Sequence, residues 1–344
     1  MARAHLLSAT PADDKTDFNL APLLEARECA ELDRFRVHSL VSQPDAADLI
    51  IFVEFYGAGW YFERVRSHPL VRSCREKCFL FCANPLVIPF LPGVYTGIEK
   101  RWTGPRTRPG FYLGRTKNEF TTFTPSSHEL PYLFSFMGSV RHASIRERLA
   151  TVRHPRFFFR DTSQDFERLL ERRMNQQERV DYNRRYAELS RSSKFVLCPR
   201  GVSPSSIRLF ETMRMGRAPV ILSDAWVPPI GPNWDAFSVR VRERDFERIP
   251  ALLERRESEA VEMGQAARRE WESWFGEDVL FHRLVELCLD IQRKRKLPER
   301  WARWGAYLHY LQPFHLRRLV SGTLRSLRAA GKNVAADPRH CPQE

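Results

Sequence analysis

The clearest pattern along the chain is a series of short apolar runs, separated by segments in which apolar residues recur at helical spacing. Runs of this length predict strands that are buried on both faces. The predicted strands are 5–9, 48–54, 77–82, 86–88, 132–137, 156–160, 194–198 and 218–222. The predicted helices are 20–32, 61–66, 144–150, 165–190, 205–215, 245–254, 258–274 and 277–295. This alternation predicts an α/β chain with parallel sheets.

The segment 193–224 organises the second half of the chain. Its first apolar run is broken by Pro199-Arg200-Gly201, and Ser203-Pro204-Ser205 supplies an N-cap and a proline suited to a first helical turn. Gly216 is placed to end the helix, and the next apolar run follows at once. A strand, helix and strand in this order form a right-handed crossover in a parallel sheet.

The turn after the first of these strands has the composition of an anion site. Gly201 allows a ligand to approach the backbone closely. Free N–H groups at the helix start, with the hydroxyls of Ser205 and Ser206, are suited to phosphate oxygens. Arg200 and Arg208 add positive charge in a geometry that matches phosphate.

Glu211 lies three residues after Arg208, so both side chains project from one side of the helix. A carboxylate there is placed to accept hydrogen bonds from the two hydroxyls of a ribose, one turn beyond a bound diphosphate. The alternative is a surface ion pair between Arg208 and Glu211 on an ordinary crossover helix, because such pairs are common at this spacing.

The segment resembles the donor-binding segment of exostosin-type glycosyltransferases. The matching stretches are Cys198-Pro199-Arg200-Gly201, 203–211, 216–221, Pro228-Pro229, 234–239 and 243–245. One departure is Arg217-Ala218, where that family more often has Cys-Ile before the proline.

The resemblance implies a GT-B-type fold, with two Rossmann-like domains facing across a cleft. We expect an N-terminal acceptor-side domain at 1–128 and a nucleotide-sugar-binding domain at 129–295. Residues 296–344 would form basic C-terminal helices that pack back on the N-terminal domain or lie on a membrane. Thr, Ser and Pro cluster at 121–131, where the boundary is expected.

The resemblance also extends to a second turn. The family has a Phe-x-Gly and a later Arg in this position, matched here by Phe136, Gly138 and Arg146. We therefore expect Gly138 and, with it, Arg141 to take part in binding the nucleotide-sugar.

Transfer from a nucleotide-sugar needs a stabilised diphosphate and a base for the acceptor hydroxyl. The sequence has no Asp-x-Asp pair to hold a metal, and the histidines show no metal-binding spacing, so we expect a metal-independent reaction without a cofactor. The resemblance implies that the reaction inverts the anomeric centre. Glu54 is the candidate base, because it ends a buried strand where the fold places ligand-facing residues. The competing candidates are Glu63, His68, Glu119, His128 and Glu129.

Composition limits the compartment and the partners. The net charge of +13 indicates an acidic partner, but no nucleic-acid-binding motif stands out, so no nucleic acid is expected. Seven cysteines without paired spacing predict no disulfide framework. With no signal peptide and no apolar run of membrane-spanning length, a cytoplasmic protein is expected.

The C-terminal segment is the most basic part of the chain. Residues 291–344 carry 12 basic and 3 acidic residues. The apolar positions Leu316, Leu319, Val320, Leu324 and Leu327 follow helical spacing, opposite Arg317, Arg318, Arg325 and Arg328. Such a helix either lies on an anionic membrane or packs on the first domain.

Taken together, the residues and the resemblance predict a glycosyltransferase that moves a sugar from a nucleotide-sugar donor, a UDP-sugar in this family, to a glycan or lipid-linked glycan acceptor. Synthesis of cell-surface polysaccharide or lipopolysaccharide is the expected setting. Two alternatives remain open: a GDP-fucose-type fucosyltransferase, and an inactive sugar- or nucleotide-binding protein on the same scaffold.

Overall fold

The computed structural model describes residues 1–11, 17–55, 60–84, 87–113, 118–170, 173–311 and 315–316. In the first part of the chain, the described strands form a six-stranded sheet. These strands are β1 (Arg3–Leu7), β2 (Ser39–Leu40), β3 (Leu49–Glu54), β4 (Cys78–Cys82), β5 (Gly93–Tyr95) and β6 (Thr107–Pro109). Their order in the sheet is β2-β1-β3-β4-β5-β6, and neighbouring strands are parallel.

A second sheet follows in the chain. Its five strands are β7 (Tyr132–Gly138), β8 (Phe157–Asp161), β9 (Ser193–Pro199), β10 (Ala218–Leu222) and β11 (Val239–Arg240). They are parallel, in the order β11-β10-β9-β7-β8. The predicted α/β class with two Rossmann-like sheets is therefore confirmed.

Helices connect and cover these strands. They are α1 (Asp17–Leu32), α2 (Glu63–Ser67), α3 (Pro69–Ser73), α4 (Ser144–Leu149), α5 (Ser163–Leu170), α6 (Gln176–Arg191), α7 (Ile207–Arg214), α8 (Trp234–Phe237), α9 (Ile249–Arg255), α10 (Ala260–Trp274), α11 (Leu280–Lys294) and α12 (Glu299–Tyr307). Among the described residues, no helix combines the length and the apolar character needed to cross a membrane.

The chain separates into two compact units. The first contains Met1–Val87 with Leu91–Lys296, and the described part of the second contains Ile88–Phe90 with 297–311 and 315–316. Because both sheets lie in the first unit, the predicted boundary between 128 and 129 stays a prediction. One apolar core in the first unit joins the two sheets, since it contains Ile51 of β3, Cys198 of β9 and Leu284 of α11.

The register places the candidate functional residues. Glu54 is opposite Cys82 at the carboxyl ends of β3 and β4, and Pro199 is opposite Leu222 at the carboxyl ends of β9 and β10. In parallel α/β sheets this edge is where ligands bind. Gly138 ends β7 at the same edge of the second sheet.

Three sequence predictions of secondary structure are wrong. The predicted helix 165–190 is two helices, because Asn175 caps α6 through a capping box with Glu178 and so starts a new helix. Val87 and Ile88 do not belong to a strand, whereas β5 and β6 lie in a stretch predicted to be irregular. Helix α7 begins at Ile207 rather than at Ser205.

Candidate functional site

The start of α7 carries two buried hydroxyl groups. Ser206, rather than the predicted Ser203 or Ser205, is the N-cap residue, and its backbone is extended. The Ser205 carbonyl accepts hydrogen bonds from the Tyr112 hydroxyl at 3.2 Å and from Ser203 Oγ at 3.4 Å. Although Ser205 and Ser206 are 4% and 7% exposed, their hydroxyls make no hydrogen bond within the described residues. These hydroxyls therefore keep unused hydrogen-bonding capacity at the start of α7.

Arg208 lies directly over Gly138. Its Nε donates to the Met137 carbonyl at 3.0 Å, and its guanidinium lies 5.3 Å from the ring centroid of Phe136. A Cβ atom added to Gly138 would be 1.9 Å from Arg208 Nη2. The absence of a side chain at Gly138 thus creates the space that the guanidinium occupies.

A second guanidinium, that of Arg146, is buried beside the first. It donates to the carbonyls of Arg200 at 2.7 Å, Ser139 at 3.0 Å and Pro199 at 3.2 Å, and so ties the turn after β9 to the turn after β7. Burial and the neighbouring Arg208 lower the pKa of Arg146 to about 9. Arg146 therefore remains charged at neutral pH. Its hydrogen-bond acceptors are backbone carbonyls and not a carboxylate.

Glu211 follows Arg208 on α7 and is half-buried. Burial raises the pKa of its carboxyl to about 7, against the opposing effects of the Tyr186 hydroxyl, Arg208 and Arg214. Within the described residues, Arg208 and Glu211 form no ion pair, so the surface-pair alternative is not what the structure contains. Glu211 also faces a pocket lined by Tyr112, Phe210 and other residues, which offers room for a ligand.

The other predicted binding residues differ in their distance from the pair formed by Arg146 and Arg208. Gly201 lies next to Arg146, since a Cβ atom there would be 3.3 Å from Arg146 Nη2. The Arg200 side chain lies 3.4 Å from the Glu243 carboxylate, which partly neutralises it. Arg141 is exposed and forms an ion pair with Glu167, so the structure does not bring it to the arginine pair.

Glu54 is fully buried at the end of β3. Its carboxyl accepts hydrogen bonds from the Ala9 N–H at 2.5 Å, the Ser8 hydroxyl at 2.9 Å and the Thr10 hydroxyl at 3.4 Å. Burial raises its pKa to about 7, although these three donors act in the opposite direction. The loop after β1 therefore fixes the carboxyl that we predicted to be the catalytic base.

The competing base candidates are less enclosed. Glu63, Glu119, His128 and Glu129 are exposed. His68 packs edge-on against Phe52, caps α3 by accepting from the Leu70 N–H, and has a pKa lowered by burial. The role of base stays a prediction for Glu54.

Sequence reasoning did not place three further residues in this region. Arg146 was noted only as a family match, Tyr186 lies on a helix predicted to be merely charged, and His142 lies on the turn after β7. Burial, together with Arg146 and Arg208, lowers the pKa of His142. The tyrosine and the histidine have no local signal, because only the fold brings them beside α7.

Comparison with known proteins was made for the whole chain. Residues 124–256 match the family model of the Exostosin GT47 domain. This segment is similar to the exostosin domain. The match confirms the predicted resemblance, and the matched residues include the arginine pair, the start of α7 and Glu211.

Two relatives define the extent of the similarity. The Exostosin-1 homolog of Caenorhabditis elegans is 36% identical over 103 residues, which cover 29% of this chain and 27% of that protein. Exostosin-1 of Drosophila melanogaster is 31% identical over 117 residues, which cover 33% of this chain and 15% of that protein. The chain thus matches at most about a quarter of the length of these two relatives.

Solved structures show only a distant likeness. WaaG, a glycosyltransferase involved in lipopolysaccharide biosynthesis, is 13% identical, with a TM-score of 0.36 over 84% of this chain and 99% of that chain. A likeness at this level carries no argument about this chain.

Proposed function

We propose that the chain is a glycosyltransferase that moves a sugar from a nucleotide-sugar, a UDP-sugar, to a hydroxyl of a glycan or lipid-linked glycan. The observation that carries this proposal is the pair of guanidiniums of Arg146 and Arg208. Within the described residues both donate to carbonyl oxygens rather than to carboxylates. Two cations that lie close together and donate to no carboxylate favour a bound dianion.

The start of α7 completes a cradle for a diphosphate. The unpartnered hydroxyls of Ser205 and Ser206 lie at the helix N-terminus, where the helix dipole also favours negative charge. As the bond between sugar and diphosphate breaks, negative charge grows on the leaving oxygen. Arginines and helix N–H groups that are already in position stabilise that charge without reorganisation.

In this proposal Glu211 receives the ribose hydroxyls, and Glu54 removes the proton from the acceptor. A carboxyl group with a pKa of about 7 is well matched to a general base at neutral pH. Attack from the face opposite the leaving group would invert the anomeric centre, and the arginines would take the place of a metal at the diphosphate.

Ligand-dependent melting tests the donor. At a concentration one hundred times its dissociation constant, UDP should add about 2.7 kcal/mol to the free energy of unfolding. The melting temperature should therefore rise. Incubation of a UDP-sugar with a glycan acceptor should release UDP and extend the acceptor. If no nucleoside diphosphate shifts the melting temperature, the proposal is wrong.

The same assays separate the two alternatives. A GDP-fucose-type enzyme would be stabilised by GDP and not by UDP. A binding protein that has lost catalysis would be stabilised by a nucleotide-sugar but would release no nucleotide with any acceptor.

We further propose that the enzyme works in the cytoplasm, peripherally attached to the inner face of the membrane, in polysaccharide or lipopolysaccharide synthesis. In the second unit Trp301 and Trp304 are 62% and 57% exposed, and Leu308 and Leu311 are exposed as well. The basic helix predicted at 316–328 lies almost wholly outside the described residues. Sedimentation with anionic vesicles should be lost at high salt; equal binding to neutral vesicles would contradict membrane attachment through this charge.

A further inference from the structure

Away from the donor site, the loop between α1 and β2 meets the helix α11. Asp33 shapes this loop, because its carboxylate accepts from the N–H groups of Phe35 at 3.4 Å and Arg36 at 3.2 Å. Arg36 has a positive φ of 50°, which a non-glycine residue seldom adopts. The turn is followed by His38, which is 7% exposed.

Two residues of α11 lie against His38. His282 and Glu286 are four residues apart, so they share one face of the helix. His38 Nε2 lies 3.0 Å from Glu286 Oε1, and the two imidazole rings are 4.9 Å apart. One potential ligand atom from each of the three residues lies within 4.8 Å of the others.

His282 has unused hydrogen-bonding capacity. Its Nδ1 atom is buried and has no hydrogen-bond partner within the described residues. Buried polar atoms in folded proteins almost always have a partner. Phe35 stacks on His282 with ring centroids 4.3 Å apart, so the cluster is enclosed on that side by an apolar ring.

We propose that His38, His282 and Glu286 bind a zinc ion, with water as the fourth ligand. Two imidazoles and one carboxylate are a donor set that zinc uses. Ligand bonds of about 2.0–2.1 Å in a tetrahedron place ligand atoms roughly 3.4 Å apart. The His38–Glu286 pair is already near this separation, and the third ligand atom lies within 4.8 Å of both.

Such a site would cross-link two remote parts of the chain. His38 and Glu286 are 248 positions apart, and α11 packs on α1 and on β5 and β6. Metal binding by ligands that meet only in the folded state adds to the stability of that state. The spacing of histidines along the sequence could not indicate this site, since one ligand is residue 38 and the other two lie on α11.

The structure contains a matched control. His154 Nε2 lies 3.1 Å from Glu254 Oε1, so it forms the same kind of pair as His38 and Glu286. Within the described residues, however, no third ligand group joins that pair. The control pair therefore separates a metal site from a simple histidine–glutamate hydrogen bond.

Equilibrium dialysis and calorimetry with Zn²⁺ test the proposal, on protein free of any histidine tag. The unchanged chain should bind one equivalent and melt at a higher temperature with Zn²⁺. His282→Ala and Glu286→Gln should each weaken binding at least ~100-fold, because the loss of supporting residues alone costs 10–100-fold. His154→Ala should leave the affinity unchanged.

Glu286→Gln keeps the protein testable if His282→Ala fails to fold. Gln retains a hydrogen-bonding group for His38, and the Glu286 side chain is 40% exposed. Visible absorption of bound Co²⁺, used as a probe in place of zinc, should report tetrahedral coordination in the unchanged chain and be lost in this variant. Failure of the unchanged chain to bind Zn²⁺, or equal binding by Glu286→Gln, would overturn the proposal.

Discussion

The carboxyl edges of the two sheets use buried charge in opposite ways. At the first sheet, the buried Glu54 carboxyl already accepts hydrogen bonds from Ser8, Ala9 and Thr10. At the second sheet, the arginine pair of Arg146 and Arg208 has no carboxylate partner within the described residues. One edge is internally satisfied, whereas the other holds surplus positive charge.

This difference separates positioning from binding. A carboxyl held by three donors cannot change its orientation easily, which suits a group that must meet a reacting proton. Cations that donate to no carboxylate, beside unpartnered hydroxyls, suit the capture of a charged ligand. Variants at the first edge should therefore affect the chemical step, and variants at the second edge should affect donor binding and leaving-group stabilisation.

Glu54→Gln should have the largest effect on transfer. If Glu54 is the base, its loss should lower kcat by about 10²–10⁴-fold, because general base catalysis contributes about that much. Steady-state kinetics with a UDP-sugar, together with UDP affinity from calorimetry, measure the two parts. UDP affinity should be unchanged.

Glu63→Gln provides the comparison, since Glu63 is a competing candidate for the base and is exposed. Near-normal transfer by Glu54→Gln with normal UDP affinity would show that Glu54 is only a structural carboxyl.

The residues at the two edges differ in how far the sequence could predict them. Glu54 and Arg208 were found because each follows a recognisable pattern: the end of an apolar strand, and a helix start with a family motif. The parallel direction of the strands was predicted from the alternation of strands and helices, since such crossovers form parallel sheets. These signals are local in the chain.

The remainder depends on contacts that are remote in sequence. Strand β5 was missed because it is three residues long and contains Gly93, where a Cβ atom would be 1.9 Å from the Leu80 carbonyl oxygen. Likewise Tyr186 reaches Glu211 only because α6 packs beside β9. No periodicity records such a contact.

Arg208→Ala should have the next largest effect. Removal of one preorganised group at a developing charge costs about 10²–10³-fold in kcat, and UDP affinity should fall as well. Kinetics and calorimetry on Arg208→Ala, compared with Arg179→Ala at an exposed position of α6, measure this. Equal UDP affinity in the two variants would remove Arg208 from the donor site.

The dependence of the free energy of unfolding on pH tests the burial of Glu54 at the edge of the first sheet. The pKa of Glu54 is raised from 4.5 to about 7 on folding, mainly by burial. Below pH 4.5 the carboxyl is protonated in both states, so its ionisation costs nothing. Between pH 4.5 and 7 it ionises more readily in the unfolded state, so stability falls as the pH rises. Above pH 7 the loss is constant, at about 3 kcal/mol.

Glu54→Gln should remove this dependence. Its free energy of unfolding, relative to that of the unchanged chain, should rise by about 3 kcal/mol between pH 4.5 and pH 8. Denaturant titrations at several pH values measure it, with Glu63→Gln as the reference. A difference that stays constant across this pH range would mean that Glu54 is ionised in the folded protein well below pH 7.

Gly138→Ala should have the smallest effect on donor binding. It tests whether the position of the Arg208 guanidinium matters or only its charge. The added Cβ atom would overlap Arg208 Nη2, so the guanidinium must move although its charge remains. A displacement of about 1 Å at a site of this kind costs up to 10²-fold, so we expect UDP affinity to fall roughly 10-fold or more. Gly138 lacks a positive φ, so the backbone should tolerate alanine and the melting temperature should change little.

Gly104→Ala, where an added Cβ atom meets no atom within 4 Å, is the matched control. If Gly138→Ala binds UDP as well as Gly104→Ala does, positive charge near this edge is sufficient and the exact place of Arg208 does not matter.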